Sequence, residues 1–196
     1  MRCGFVAAFA TALLALPSAA LAATIEVNTG TDVVSADGKC SLREAITSAN
    51  LHAAPFTGPG ECASGTGGDT IVLPPGPLHL SIPGRGEDNN DTGDLDIRAP
   101  GLTIRGAGVA LTSIDAQHID RVFDVLAGAT VTMAGVTITG GEPKDGDSGT
   151  DRVAPPLNVT GGDGGPGEPG GGIRNAGALT VQGAVITGNT AGAGGR

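Results

Sequence analysis

The segment from Arg85 to Asp96, RGEDNNDTGDLD, carries the residue types and spacing best suited to binding a ligand. Counted from Asp88, oxygen-bearing side chains occupy positions 1, 3, 5 and 9, and these are Asp88, Asn90, Thr92 and Asp96. With Gly93 at position 6, the pattern matches the front half of an EF-hand-like loop, in which alternate side chains turn inward on Ca²⁺. Position 12 is Ala99 instead of the glutamate that closes such a site. The spacing therefore predicts an incomplete Ca²⁺ site, with a plain solvated turn between strands as the alternative.

A second group of titratable residues lies between Asp115 and Asp124 and includes His118. Its candidates for catalysis are Asp115, Asp120, Arg121 and Asp124. Catalysis would require two or three of these side chains to converge at a set separation, as the two carboxylates of a glycosidase do. The alternative is that Asp120 and Arg121 form a surface ion pair or cap a turn, and the sequence alone identifies no catalytic residue.

The adjacent Arg43 and Glu44 stand in KCSLREAITSAN, a stretch with the signature of a helix. Ser41 and Glu44 have the S-x-x-E spacing of a capping box, in which each side chain accepts a hydrogen bond from the backbone amide of the other residue. Apolar residues follow at the helical spacing i, i+3, i+4 and i+7, and these are Leu42, Ala45, Ile46 and Ala49. The pattern predicts a short amphipathic helix ending near His52, with Glu44 in its cap and Arg43 as a surface cation.

From Asp69 onward, short apolar alternations separated by glycine, proline and aspartate predict short strands. LTIRG at 102–106 matches VTMAG at 131–135 and LTVQG at 179–183, so positions 102, 131 and 179 are equivalent in a repeat. Such repeats are typical of a solenoid, in which each strand stacks on its equivalent in the next coil. We therefore predict an all-β fold, a right-handed parallel β-helix. A β-sandwich, which uses longer strands, is the alternative.

The predicted helix precedes the first coil, where a solenoid would expose apolar side chains and unpaired strand-edge amides. We expect the helix to cover that end. The resulting organisation is a signal peptide at 1–22, an N-terminal cap at 23–68 and coils at 69–196. A Gly-, Asp- and Pro-rich insertion at 141–172 predicts a mobile surface loop.

The segment 1–22 has the pattern of a cleaved export signal, with Arg2, an apolar run and an Ala20-Leu21-Ala22 cleavage site. Cys40 and Cys62 then remain, and an oxidising compartment makes a disulfide the expected state, with two free buried thiols as the alternative. The net charge of −9 becomes −10 once Arg2 is lost, because the segment 1–22 contains no Asp or Glu. Such an acidic chain is a poor candidate for binding nucleic acid.

CSLREAI at 40–46, with a downstream cysteine, resembles the CSLREA domain, found at the N-terminus of secreted bacterial right-handed parallel β-helix proteins. Later stretches such as GDLDI, RVFDV, GGGIRNAG and GNTA resemble the coils of those proteins and of polymorphic outer-membrane adhesin-like proteins. The resemblance covers essentially the whole exported chain. It implies a fold and export, and it supplies no catalytic residues.

The sequence leaves two functions of different class open. The first is a secreted or cell-surface structural, adhesin-like protein without a catalytic site, whose partner would be a host surface or a polysaccharide. The second is a pectate-lyase-like polysaccharide lyase or a glycoside hydrolase. The acidic charge and the absence of Trp and Tyr favour the first, because sugar-binding grooves commonly stack rings on aromatic side chains. No membrane span is expected after signal cleavage. We expect either that the chain is truncated after Arg196, with further coils to follow, or that something else covers the last coil.

Overall fold

The computed structural model describes residues 21–150, 152–154 and 158–196, and at 152–154 and 158–160 it describes the backbone alone. The predicted signal peptide therefore lies outside the described residues except for 21 and 22. Within the described ranges the protein is an all-β structure with one helix, α1 (Leu42–Leu51). No helix among these residues has the length and apolar character needed to cross a bilayer.

Most strands are short, as their short apolar runs predict. In chain order they are β1 (Thr24–Glu26), β2 (Thr70–Val72), β3 (Gly76–His79), β4 (Leu95–Ile97), β5 (Pro100–Arg105), β6 (Thr112–Asp115), β7 (Phe123–Val125), β8 (Thr130–Ala134), β9 (Thr137–Thr139), β10 (Arg152–Ala154), β11 (Asn158–Thr160), β12 (Ile173–Asn175), β13 (Ala178–Gln182) and β14 (Val185–Ile186). All but β10 and β11, which form an antiparallel pair, belong to three parallel sheets.

The first sheet has the order β1-β2-β5-β8-β13, the second β14-β9-β6-β3 and the third β12-β7-β4. From β2 to β9 the chain visits the first, second and third sheets in rotation, and it resumes this order at β12 after the insertion. Strand register follows the sequence repeat, because Leu102 pairs with Val131 and Val131 with Leu179. The repeated motif therefore predicts the strand register of the first sheet correctly.

The core consists of apolar side chains from equivalent positions on successive strands. In the first sheet Ile25, Ile71, Ile104 and Met133 are in register, and each is fully buried. Each such side chain contributes about 1.5–3 kcal/mol by leaving water. The next member of this ladder is Val181 on β13, which is 41 % exposed because no described strand follows it in the sheet.

Helix α1 begins at the capping box that the sequence predicts. Ser41 accepts a hydrogen bond from the Glu44 amide (3.2 Å), and Glu44 accepts one from the Ser41 amide (2.9 Å). The helix ends at His52, whose φ of 53° places it in the left-handed region. Its apolar face is buried, and the predicted disulfide between Cys40 and Cys62 is confirmed.

Helix α1 covers the outer edge of β4, the first strand of the third sheet. Asn50 donates through Nδ2 to the carbonyl of Asp96 (2.8 Å) and accepts from the amides of Arg98 (2.8 Å) and Ala99 (3.1 Å). These backbone groups would otherwise need a neighbouring strand or water. Side chains of the helix therefore replace the missing strand at this edge.

The prediction that Arg43 is a surface cation is wrong. Its side chain is fully buried and forms a two-bond ion pair with Asp32, with Nε–Oδ1 at 2.7 Å and Nη2–Oδ2 at 2.9 Å. The same guanidinium donates to the carbonyls of Gly93 (2.8 Å) and Asp94 (2.9 Å), just before β4. The burial of Arg43 is compensated because its N–H groups pair with the Asp32 carboxylate and with two carbonyls that accept from no other donor in the described part of the chain.

Asp69 links the residue before β1 to the turn before β2 through hydrogen bonds. This buried carboxylate accepts hydrogen bonds from the amides of Ala23 (2.9 Å), Thr66 (3.0 Å) and Gly67 (3.2 Å). Burial alone would raise the pKa of Asp69, but these donors together outweigh it and hold the pKa below its usual value.

The predicted surface loop at 141–172 is hydrogen-bonded to the segment 189–196. Three segments, 141–150, 161–172 and 189–196, are linked pairwise by backbone hydrogen bonds: Gly146 N to Ala193 O (2.8 Å), Gly195 N to Gly165 O (2.8 Å) and Gly165 N to Asp147 O (2.7 Å). We call these segments the glycine-rich bundle. None of them is a β-strand over its glycines.

Glycine is required in this bundle because the backbones approach one another closely. A Cβ atom on Gly146, Gly192 or Gly195 would overlap a carbonyl of a neighbouring segment. Backbone donors recur every third residue, at Gly146 and Gly149 and again at Gly192 and Gly195. This is the period of polyproline II helices, which pack closely only where glycine faces the neighbouring chain. The glycines of the insertion therefore allow the three segments to pack closely, which the amino-acid composition alone did not indicate.

Candidate functional site

Three charged residues stand side by side on the third sheet. Asp96 on β4 is in register with Asp124 on β7, and Asp124 is in register with Arg174 on β12. Each is the middle residue of a strand (LDI, FDV and IRN), so its side chain projects from the sheet opposite to those of its two neighbours. Parallel register thus brings together acidic residues that are distant in the sequence.

A third carboxylate joins this ladder from the turn before β4. One carboxylate oxygen from each of Asp88, Asp96 and Asp124 lies within 4.8 Å of the other two. Asp96 and Asp124 are buried, whereas the side chain of Asp88 is 64 % exposed. The three residues, which we call the carboxylate cluster, therefore have one side open to solvent.

Two arginines border the cluster. Arg121 Nη1 lies 2.9 Å from Asp94 Oδ2 and 3.7 Å from Asp124 Oδ2, and its Nη2 lies 2.5 Å from Glu168 Oε2. Glu168 belongs to the glycine-rich bundle, which therefore delivers a carboxylate to this site. A pocket of about 290 Å³ opens here, and its charged lining is Glu87, Asp88, Arg121, Glu168 and Arg174.

Arg174 is the second bordering arginine. Its Nη2 lies 2.5 Å from Asp124 Oδ2 and 3.8 Å from Asp88 Oδ1. The close approach of the Asp124 carboxylate, through hydrogen bonding and opposite charge, raises the pKa of Arg174. The angles of this contact are poor, and neither Asp124 oxygen has a well-aligned hydrogen-bond donor among the described residues.

The buried carboxylates are incompletely satisfied. Asp96 Oδ2 accepts from the Asn90 amide (2.9 Å), but Asp96 Oδ1 has no partner among the described residues. Asp120 Oδ1 accepts from the Arg121 amide (2.7 Å), and its Oδ2 likewise has no described partner. A buried carboxylate oxygen without a partner is costly, so each such oxygen calls for a proton, a water or a cation.

Burial and mutual repulsion change the proton affinities of these groups. Burial, followed by the nearby charge of Asp94, raises the pKa of Asp96 to about 8. Burial and Asp120 raise the pKa of Asp94 to about 6, because together they outweigh its ion pair with Arg121. Burial also raises the pKa of Asp120. Buried carboxyl groups with raised pKa values occur often at functional sites.

The four residues of the predicted calcium loop do not act together. Asn90 turns inward and donates through Nδ2 to the Arg43 carbonyl (2.9 Å), while its Oδ1 accepts from the Asp96 amide (3.2 Å). Thr92 donates its amide to Glu87 (2.9 Å). Only Asp88 and Asp96 of the predicted set belong to the carboxylate cluster, so an EF-hand-like loop is not formed.

The predicted catalytic candidates divide between two places. Asp120, Arg121 and Asp124 lie at the third sheet and are buried, so the alternative interpretation of Asp120 and Arg121 as a surface ion pair is wrong. Asp115 lies on the second sheet, 3.7 Å from His79, and accepts from the Gln117 amide. Asp115 therefore takes no part in the cluster.

Asp94, Glu168 and Arg174 complete the site and were not predicted from the sequence. The position of Arg174 could have been predicted, because LDI, FDV and IRN are equivalent triplets that each have a charged residue at the centre. Chemically, the arrangement offers oxygen ligands to a hard cation, or an acid with a raised pKa beside two guanidinium groups.

Comparisons of the chain with protein-family models, curated proteins and solved structures found no match. A CSLREA domain is accordingly not detected, and the resemblance of residues 40–46 to that domain stays a prediction. The chemistry available to the site follows from its own geometry.

Proposed function

We propose that this protein is a secreted or cell-surface structural protein of adhesin-like type, built as a right-handed parallel β-helix. The observation that carries the proposal is the covering of the β4 edge by α1. Arg43 and Asn50 use their side chains to satisfy five backbone groups in and next to that strand. Such a built cover is expected of a protein whose repeated coils begin at this point.

The order of the strands supports the β-helix. The chain passes through the three parallel sheets in rotation, and in-register apolar residues fill the space between them. Export is supported by the Cys40–Cys62 disulfide, since such bonds persist in oxidising compartments. The resemblance of 40–46 to the CSLREA domain points in the same direction and belongs to the proposal.

The proposed location is tested by expressing residues 1–196 with a C-terminal tag in a Gram-negative host and analysing the exported protein by mass spectrometry. We expect a chain that begins at Ala23 and contains the intact disulfide. A tagged protein that stays in the cytoplasm with the segment 1–22 still attached would contradict export.

A second candidate function, a polysaccharide lyase or glycoside hydrolase, is favoured by one observation. Asp88, Arg121 and Arg174 line one pocket, and beside it lies Asp96, whose pKa is raised to about 8. Against it, Asp96 and Asp124 are buried beyond the reach of a polymer. Assays for reducing ends and unsaturated products over a panel of uronic-acid polymers, with and without calcium, separate the two functions. Robust turnover that is lost in Asp124→Asn would refute the structural proposal.

A further inference from the structure

We propose that Asp88, Asp96 and Asp124 bind a divalent cation of the calcium class. This cation would join the turn before β4 to the third sheet. The inference goes beyond the structural role proposed above and does not depend on whether the protein is exported or adhesive.

The separation of the three carboxylates fits a shared ion. Calcium binds oxygen ligands at about 2.3–2.6 Å, so two oxygens on one ion lie no more than about 5 Å apart. One oxygen from each aspartate lies within 4.8 Å of the other two. All three residues can therefore contact the same ion, and the exposed side of Asp88 leaves room for waters to complete its coordination.

The two buried members already have oxygens that need a partner. Asp96 accepts from the Asn90 amide through Oδ2, and its Oδ1 has no partner within the described ranges. Asp124 contacts Arg174 through Oδ2, and its Oδ1 has no partner among the described residues. Asp96 is 0 % exposed and Asp124 is 1 % exposed, so these oxygens are unpartnered in a place that bulk water reaches poorly. This observation is independent of the clustering and distinguishes the site from an ordinary acidic surface.

The neighbouring arginines are insufficient to neutralise the site. Arg121 is shared among Asp94, Asp124 and Glu168, and Arg174 between Asp124 and Asp88. Asp96 forms an ion pair with neither of them within the described part of the chain. A bound cation would supply the missing positive charge. The proposal requires Arg174, whose side chain is 41 % exposed, to move outward from Asp124 when the ion binds.

The chemistry of the ligands selects the class of cation. The cluster offers carboxylate oxygens, and neither histidine nor cysteine belongs to it. Oxygen-only ligand sets suit calcium, magnesium and manganese, whereas zinc and copper prefer nitrogen and sulfur. Magnesium requires a near-ideal octahedron at about 2.0–2.1 Å, so ligands spread over a turn and two strands favour the larger calcium ion.

Calcium titration of the EDTA-treated protein, followed by calorimetry and by thermal unfolding in far-UV circular dichroism, tests the proposal. The chain contains no Trp or Tyr to sensitise terbium luminescence, which makes heat and melting temperature the better readouts. We expect saturable binding of one ion per chain and a higher melting temperature in calcium.

Asp88→Asn is the decisive variant, because its exposed side chain can be changed without disturbing the core. We expect it to weaken calcium binding by about 10-fold or more, in line with the cost of disturbing a metal site. Asp91→Asn is the matched control, since Asp91 is an exposed aspartate in the same turn and is not in the cluster. Its affinity should stay within about 3-fold of the wild type, the scale of change in a surface charge contribution.

Asp96→Asn and Asp124→Asn should abolish the calcium-dependent rise in melting temperature while retaining the circular dichroism spectrum. Amide hydrogen exchange adds a local readout, because bound calcium should slow exchange at 87–92 and leave the second sheet unchanged. The proposal is wrong if wild-type protein shows neither heat nor a melting shift up to about 10 mM calcium, beyond the weakest extracellular calcium modules. It is equally wrong if Asp91→Asn weakens binding as much as Asp88→Asn does.

Discussion

Replacing Arg43 with alanine tests the covering of the β4 edge most directly. The substitution removes a fully buried guanidinium, leaves Asp32 without its cation and takes the donors from the carbonyls of Gly93 and Asp94. Removing one partner of a buried ion pair costs about 3–5 kcal/mol. Because a domain of this kind has about 5–15 kcal/mol of stability in total, we expect Arg43→Ala to lose a large share of it.

The assay is urea unfolding followed by far-UV circular dichroism, which needs no aromatic residue. Arg43→Lys keeps the positive charge but lacks the planar fork that binds Asp32 through two bonds, so its stability should fall between wild type and Arg43→Ala. The matched control is Arg105→Ala, an exposed arginine on β5, which should change the free energy of unfolding by no more than about 0.5 kcal/mol. A loss below about 1 kcal/mol for Arg43→Ala would refute the reasoning, because it would place Arg43 among ordinary surface residues.

Three further predictions concern the helix cap, the disulfide and the carboxylate cluster. Glu44→Ala should lower the free energy of unfolding by about 1–3 kcal/mol without abolishing any activity, because it leaves the amides of Ser35 and Ser41 without their acceptor. Replacing Cys40 and Cys62 by serine should cost about 2–4 kcal/mol in urea unfolding, and a reductant should destabilise the wild type but not the variant. Because the pKa of Asp96 is raised from 3.8 to about 8, the folded state holds this proton more tightly than the unfolded state. The stabilisation that the folded state gains from this tighter proton binding is therefore fully present below pH 3.8, and it is lost as the pH rises through about 8. In EDTA, the difference in unfolding free energy between wild type and Asp96→Asn should fall over that range, and a constant difference would contradict the raised pKa.

The fold was largely predictable because it repeats. The match of Leu102, Val131 and Leu179 indicated strand register directly, since equivalent positions in stacked coils carry similar apolar residues. The cap of α1 was also predictable, because Ser41 and Glu44 are close in sequence and their spacing has one physical meaning.

The site was less predictable because its residues come from distant strands. Asp96 and Asp124 became neighbours only through parallel register, and the calcium-loop spacing instead suggested that Asn90 would be a ligand. Arg43 was predicted to be exposed because an arginine normally is, and its buried partner Asp32 lies outside the helical pattern. The glycine-rich bundle was not predicted because its segments are separated in the sequence. Two of them lie in the insertion and the third is 189–196.

The hydrogen bond from Ala23 to Asp69 gives the expected signal cleavage a second role. Cleavage after Ala22 would convert the Ala23 amide, 2.9 Å from Asp69 Oδ1, into a positively charged terminal amine. Pairing the Asp69 carboxylate with a charged amine adds the attraction of a partly exposed ion pair to this hydrogen bond, about 0.2–1 kcal/mol. A chain that begins at Ala23 should therefore be more stable than one that begins at Ala22, and Asp69→Asn should remove most of that difference. Equal stability of the two chains would contradict this link. Under the proposed export, removal of the signal would therefore add a stabilising contact that the precursor lacks.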